Sequence, residues 1–155
     1  MQPLSASSIR GNWATLLLPI RADESIDYDL LRNEIERLIA ARVDGIYSNG
    51  SAGEFYTQTE DEFDRVNALL AEKCEPAGMP FQIGASHMSP QISLGRVARA
   101  KSLRPSAIQI ILPDWFSPSW TEILDYLRRM VDVAMPIPLV IYNPPHAKRR
   151  PTPAE

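Results

Sequence analysis

Cysteine is nearly absent from this chain, with Cys74 alone among 155 residues. That excludes an internal disulfide framework and any multi-cysteine metal site, and it fits a reducing compartment. Histidine is almost as scarce: His87 and His146 stand far apart and carry no metal-ligand spacing. No apolar run approaches the roughly 18 residues of a membrane span. The opening Met1-Gln2-Pro3-Leu4-Ser5 lacks the charged-then-apolar order of a signal peptide. Positive charge is not in excess either: the formal net charge is −3, with no basic face and no charged tail, which argues against nucleic acid as a partner. The expectation is a cytoplasmic protein with no membrane and no nucleic-acid partner. Its length suits one domain with a real core.

Proline, in contrast, is abundant, with 14 residues set mostly at the edges of segments. Trp13-Ala14-Thr15-Leu16-Leu17-Leu18-Pro19 reads as a buried strand stopped by proline. Asp27 caps a helix predicted over 28–43, with Leu31, Ile35, Leu38 and Ile39 as its apolar stripe. Residues 43–48 form a second strand. Thr59 and Glu62 make a capping box for a helix over 60–74, with Phe63, Val66, Leu69 and Leu70 inward. A third strand spans 79–85. Ser89-Pro90, an N-cap followed by proline at the first helical position, opens a helix over 90–103 with Ile92, Val97 and Ala100 or Lys101 on its stripe. A fourth strand covers 106–113. Ser119 and Glu122 form a second capping box, for a helix over 120–134 that turns Ile123, Leu127, Met130, Val131 and Ala134 inward. The fifth strand is 138–142.

The order is therefore β-α-β-α-β-α-β-α-β. The Val/Ile/Leu-rich strands have the composition of strands covered on both faces of a parallel sheet. Two folds fit: a five-stranded doubly wound sheet, complete at this length, or the first five strands and four helices of a (β/α)₈ barrel, which needs about 250 residues. Thr152-Pro153-Ala154-Glu155 has the form of a third capping box at the end of the chain. A helix start with no helix body favours a barrel interrupted before its sixth strand, with residues 1–155 as a single incomplete domain.

The second strand delivers Tyr47-Ser48-Asn49-Gly50-Ser51-Ala52-Gly53-Glu54. Small residues there let backbone N–H groups approach a small anion, because glycine has no side chain in the way. The segment Gly50-Ser51-Ala52-Gly53-Glu54 resembles the Gly-hydroxyl-hydroxyl-Gly-Glu loop of the dihydrodipicolinate synthase / N-acetylneuraminate lyase family. Tyr142-Asn143-Pro144-Pro145 is similar to that family's Tyr-Asn-x-Pro. Residues 113–118 have the length and flanking prolines of its Pro-Tyr-Tyr-x-x-Pro loop, and Thr15 with Pro19 fits the ending of its first strand. The four motifs stand in order along the whole chain, each at the end of a strand.

The resemblance implies a pyruvate-dependent class I aldolase or lyase on a (β/α)₈ barrel, homo-oligomeric at full length. In that chemistry a lysine at the end of the sixth strand forms a Schiff base with a 2-keto acid, and the iminium serves as the electron sink, so no cofactor and no metal are implied. It further implies that Gly50, Ser51 and Ala52 bind the carboxylate through backbone N–H groups and the Ser51 hydroxyl. Tyr142 and Ser51 carry the catalytic proton relay. Trp115, with Phe116 and Trp120, is a candidate for the substrate's acceptor side. Ser86 and His87 also end a strand, so they could line the pocket, although a lone histidine there is more often a surface or packing residue. Glu54 is read as structural, satisfying N–H groups of its own loop.

Three departures bear on the reaction. Ala52 replaces the loop's second hydroxyl, Trp115 stands where the synthase branch has a relay tyrosine, and Ala147, next to Lys148, holds the place of an expected arginine. They argue against the lysine-biosynthetic synthase and for a divergent lyase acting on another 2-keto acid. Lys73, Lys101 and Lys148 are the only lysines, and none falls on a sixth strand. The chain alone is expected to be inactive. The alternative is a non-catalytic α/β module that binds a small carboxylate.

Overall fold

Every helix begins at the side-chain acceptor that the sequence supplies. A computed structural model of the chain describes residues 1–113 and 115–152. In it Asp27 accepts the N–H groups of Asp29 and Leu30 at the start of α1 (Tyr28–Ala40). Thr59 and Glu62 close a reciprocal capping box on α2 (Glu60–Ala77), and Ser119 and Glu122 close another on α4 (Trp120–Ala134). Ser89, with Pro90 behind it, caps α3 (Pro90–Ser102). Such caps satisfy N–H groups that have no partner inside the helix, which is why they are readable locally. The four-residue motif at the end of the chain lies partly outside the described residues.

Between the helices run β1 (Trp13–Thr15), β2 (Gly45–Ser48), β3 (Phe81–Gly84), β4 (Ala107–Ile110) and β5 (Leu139–Ile141), after a single 3-10 turn at Ala6–Ser8. All four pairings are parallel, and the sheet order is β1-β2-β3-β4-β5. Each strand is laid beside the previous one, always on the same side. That is how a (β/α)₈ barrel is wound. A doubly wound sheet reverses direction at a switch point, so the sequential order overturns the alternative fold.

The core lies between the sheet and the helices. Leu31, Ile35, Ile46, Phe63, Leu70, Phe81, Ile83, Ile108 and Ile123 are all fully buried. Each such side chain contributes about 1.5–3 kcal/mol relative to exposure. β3 and β4 are buried at every position, whereas β1 and β5 are only partly covered. The expectation of a buried strand over 13–19 therefore needs correction. The strand is three residues long and borders the sheet, and Leu17 beyond it is half exposed.

Two helix faces and one helix end also differ from the periodic reading. On α3 the buried residues are Ser93, Arg96, Val97 and Ala100, while Ile92 faces solvent. On α4 Tyr126 is buried and Val131 is exposed. α2 runs past residue 74 and through Pro76 to a left-handed Gly78, where the Gly78 and Met79 N–H groups bond to Glu75 and Cys74 carbonyls. That 6→1 and 5→2 pair is a Schellman ending. A proline near the C-terminus of a helix forfeits one ladder bond rather than ending the helix outright.

Candidate active site

The loop after β2 is shaped by a buried asparagine. Asn49 takes a left-handed φ of 54°, which Asn tolerates better than most residues. Its Nδ2 donates to the Gly84 carbonyl at 3.1 Å, and its Oδ1 accepts from Gln58 Nε2 at 3.1 Å. Gly84 is required here: a Cβ would sit 2.5 Å from the Asn49 carbonyl oxygen and 2.8 Å from that of Ser48. Beneath them Ser48 Oγ donates to the buried Asn67 Oδ1 at 2.6 Å. Within the turn, the N–H groups of Gly53 and Phe55 donate to the Gly50 carbonyl, and that of Glu54 to the Ser51 carbonyl. The N–H groups of Ser51 and Ala52 have no partner among the described residues. A rigid turn with two adjacent unpaired donors is suited to a small anion.

Ser51 also forms one wall of a hollow of about 100 Å³ at the C-terminal ends of four strands. Phe55 joins it from the same loop, Met88 from the loop after β3, and Ile111 and Leu112 from the end of β4. The segment after β5 supplies Tyr142, Asn143, Pro144, His146, Ala147 and Arg149. Tyr142 is held by its backbone, whose N–H donates to the Ile110 carbonyl at 2.9 Å. The carboxyl ends of parallel barrel strands are where such folds place their chemistry.

Residues 8–150 match the family model described as the dihydrodipicolinate synthetase family. The chain belongs to that family. It is 33% identical over 138 residues to the 4-hydroxy-tetrahydrodipicolinate synthase of Thermomicrobium roseum, an alignment covering 88% of this chain and 44% of that protein. It is 30% identical over 141 residues to the N-acetylneuraminate lyase of Escherichia coli, covering 90% of this chain and 47% of the lyase. The solved dihydrodipicolinate synthase of Aquifex aeolicus superposes with a TM-score of 0.83 at 21% identity, over 90% of this chain and 47% of that one. The chain thus spans about half the length of these relatives, and its fold is that of part of their barrel.

Within this family framework, the structure brings some of the sequence-predicted site residues together and separates others. Ser51 and Tyr142 share the hollow, although no hydrogen bond joins their hydroxyls among the described residues. His146, uncommitted in the sequence, lines it too. Gly50 is buried under the turn and Ala52 faces solvent. Trp115 lies elsewhere, 80% exposed. With Phe116, Tyr126 and Arg129 it lines a larger, mostly apolar hollow of about 340 Å³ beside α4. Met88 borders both hollows. The smaller one is the better site, because polar groups from the ends of β2 and β5 converge there over an apolar floor from β3 and β4. Trp120 is partly buried against the core instead.

Glu54, the Ser86–His87 pair and the lysines all stand outside the hollow. Glu54 gives its carboxylate to no N–H group of its own loop among the described residues. Its carbonyl accepts from Thr57, and the residue lines a different hollow with Glu24 and Glu62. Neither Ser86 nor His87 lines the Ser51–Tyr142 hollow. His87 Nδ1 accepts the Ser89 N–H at 2.9 Å. Burial, and then the neighbouring Arg96 charge, pull its pKa below the usual histidine range. The cation that reaches the hollow beyond Tyr142 is Arg149 rather than Lys148, whose Nζ donates to the Trp115 carbonyl. None of the three lysines enters the hollow: Lys73 pairs with Glu36 at 2.7 Å and Lys101 donates to the Val133 carbonyl at 3.1 Å.

Sequence reasoning missed the polar residues behind the loop. Asn67, Gln58 and Arg96 are all buried, and Arg96 is wholly so. A faint signal exists: Arg96 falls on the inward stripe of α3, between Ser93 and Val97, where a charge needs a partner. That partner is Glu60, at 2.9 Å from Arg96 Nε. Burial alone would raise the Glu60 carboxyl, but the hydrogen bonds from Arg96 and Arg99 outweigh it and hold its pKa below the usual range.

Proposed function

We infer that this chain is the N-terminal portion of a Schiff-base-forming carbon–carbon lyase acting on pyruvate or a related 2-keto acid. One observation carries the reading: the N–H groups of Ser51 and Ala52, without partners among the described residues, stand on the same loop that sends Ser51 into a hollow shared with Tyr142. The two N–H groups and the Ser51 hydroxyl hold the carboxylate by short charge-assisted hydrogen bonds. Tyr142 faces the keto carbon from β5 and moves the proton at its hydroxyl, through Ser51, once a ligand bridges the two. His146 and Arg149 border the side on which an aldehyde acceptor enters, and Arg149 brings the positive charge that Ala147 lacks. The Trp115 hollow, beyond Met88, takes an apolar extension of the substrate.

The nucleophilic lysine is not supplied by residues 1–155, so this chain alone is inactive as an aldolase. Incubation with pyruvate and borohydride followed by mass measurement tests this. No adduct is expected on Lys73, Lys101 or Lys148, and a stable adduct on any of them would refute the claim. The same absence of lysine from the hollow favours a second reading, a non-catalytic module that binds a small carboxylate. Reading the coding sequence past Glu155 separates the two. Continuation through a helix into a lysine-bearing strand supports the lyase. A stop there, with a monomeric and cooperatively folding product, supports the module. Beyond this fragment we expect a homo-oligomeric, cytoplasmic enzyme needing no metal; sedimentation of the full-length protein would test the assembly.

A further inference from the structure

We propose that Arg96 on α3 is the residue that sets the shape of the carboxylate loop, so that anion affinity is controlled from a helix that never touches the ligand. The proposal rests on the reading of the loop as a carboxylate cradle and adds what holds it. Arg96 is wholly buried. Its Nη1 donates to the Ser86 carbonyl at 2.8 Å and to the Phe55 carbonyl at 3.4 Å, and its Nη2 donates to the Gln58 carbonyl at 3.4 Å. Nε and Nη2 approach Glu60 Oε1 at 2.9 and 2.8 Å. These contacts match the five N–H donors of a guanidinium, arranged as its planar fork requires.

The partners define what the fork fastens. Ser86 lies just past β3, Phe55 and Gln58 belong to the loop, and Glu60 opens α2. Gln58 passes the constraint on: its Nε2 donates to Asn49 Oδ1 and to the Gly53 carbonyl, both at 3.1 Å. Asn49 and Gly53 flank Ser51 and Ala52. Buried hydrogen bonds therefore run from α3 through Gln58 to Asn49 and Gly53, on either side of the Gly50-Ser51-Ala52 turn. Lysine cannot replace the fork, because one ammonium cannot reach three carbonyls and a carboxylate on different sides. Arg96 is thus a positioning residue.

The test compares the unsubstituted chain with Arg96→Lys and Gln58→Met by amide hydrogen exchange and by pyruvate titration. Gln58→Met leaves Arg96 in place and cuts the next link, so it serves if Arg96→Lys does not fold. In either variant the N–H groups of Gly53, Glu54, Phe55 and Thr57 should exchange about tenfold faster, an opening easier by about 1.4 kcal/mol. β4 amides should hold their rates, and pyruvate affinity should fall about fivefold or more. A merely structural role would speed exchange throughout the sheet instead, and would overturn the proposal. So would unchanged loop exchange in a folded variant, or loosened loops with unchanged pyruvate affinity. If the unsubstituted chain shows no response to pyruvate, the cradle reading fails, and the proposal built on it fails as well.

Discussion

The two walls of the Ser51–Tyr142 hollow are built differently. The Ser51 wall stands on buried polar groups: Asn49, Gln58, Asn67 and Arg96 tie its loop to β3, α2 and α3. The Tyr142 wall stands on β5, a three-residue, partly exposed strand that pairs with β4 among the described residues. The first wall is preorganised by its own residues. The second takes its position, among the described residues, from the β4–β5 backbone ladder. A loop that offered N–H groups to an anion, as proposed above, would gain from being fixed before the ligand arrives.

Gly84→Ala attacks the rigid wall most directly. The new methyl would meet two backbone oxygens that the Asn49 turn cannot move. We expect a loss of about 3 kcal/mol and a fall in Tm of roughly 6–12 °C, read by thermal denaturation. A change near zero would mean that the turn is not fixed. Asn67→Leu removes the acceptor of the Ser48 hydroxyl and the donor to the Phe63 carbonyl in a fully buried place. Urea unfolding should show about 2 kcal/mol less stability with an unchanged m-value.

Acid should act more gently on the same wall. The Glu60 carboxyl is held below its usual value of 4.5 in the folded chain. Its contribution is therefore fully present above that value and is lost as pH falls through the lower folded value. Stability should drop as pH falls below about 4.5 and through the lower folded value, and by less in Glu60→Gln. An equal drop in both would remove Glu60 from the account. The smallest effect belongs to the other wall. Tyr142→Phe should shift stability by less than about 0.5 kcal/mol, because the half-buried hydroxyl has no hydrogen bond among the described residues.

What the sequence reveals follows the same division. Caps are local, so Asp27, Thr59 with Glu62, Ser89-Pro90 and Ser119 with Glu122 all mark true helix starts. Loop motifs at strand ends place Ser51 and Tyr142 beside one hollow. Burial is not local. A run such as 13–19 looks the same in a border strand as in a central one, and only pairing distinguishes them. Spacing puts Arg96 on the inward stripe of α3, but nothing local names its partners, because Glu60 and three carbonyls are brought round it only by the fold. Trp115 shows the same limit: its motif fixes the loop, but not which of the two hollows that share Met88 the ring lines.

The central claim is that Ser51 and Ala52 offer a ready-made seat for a carboxylate. Titrating pyruvate into the isotopically labelled chain while following backbone amides tests it most directly. The account predicts saturable shifts centred on the Ser51 and Ala52 N–H groups, reproduced by acetate and absent with acetone, which lacks the carboxylate. Shifts confined to other regions, or equal responses to acetone, would contradict it.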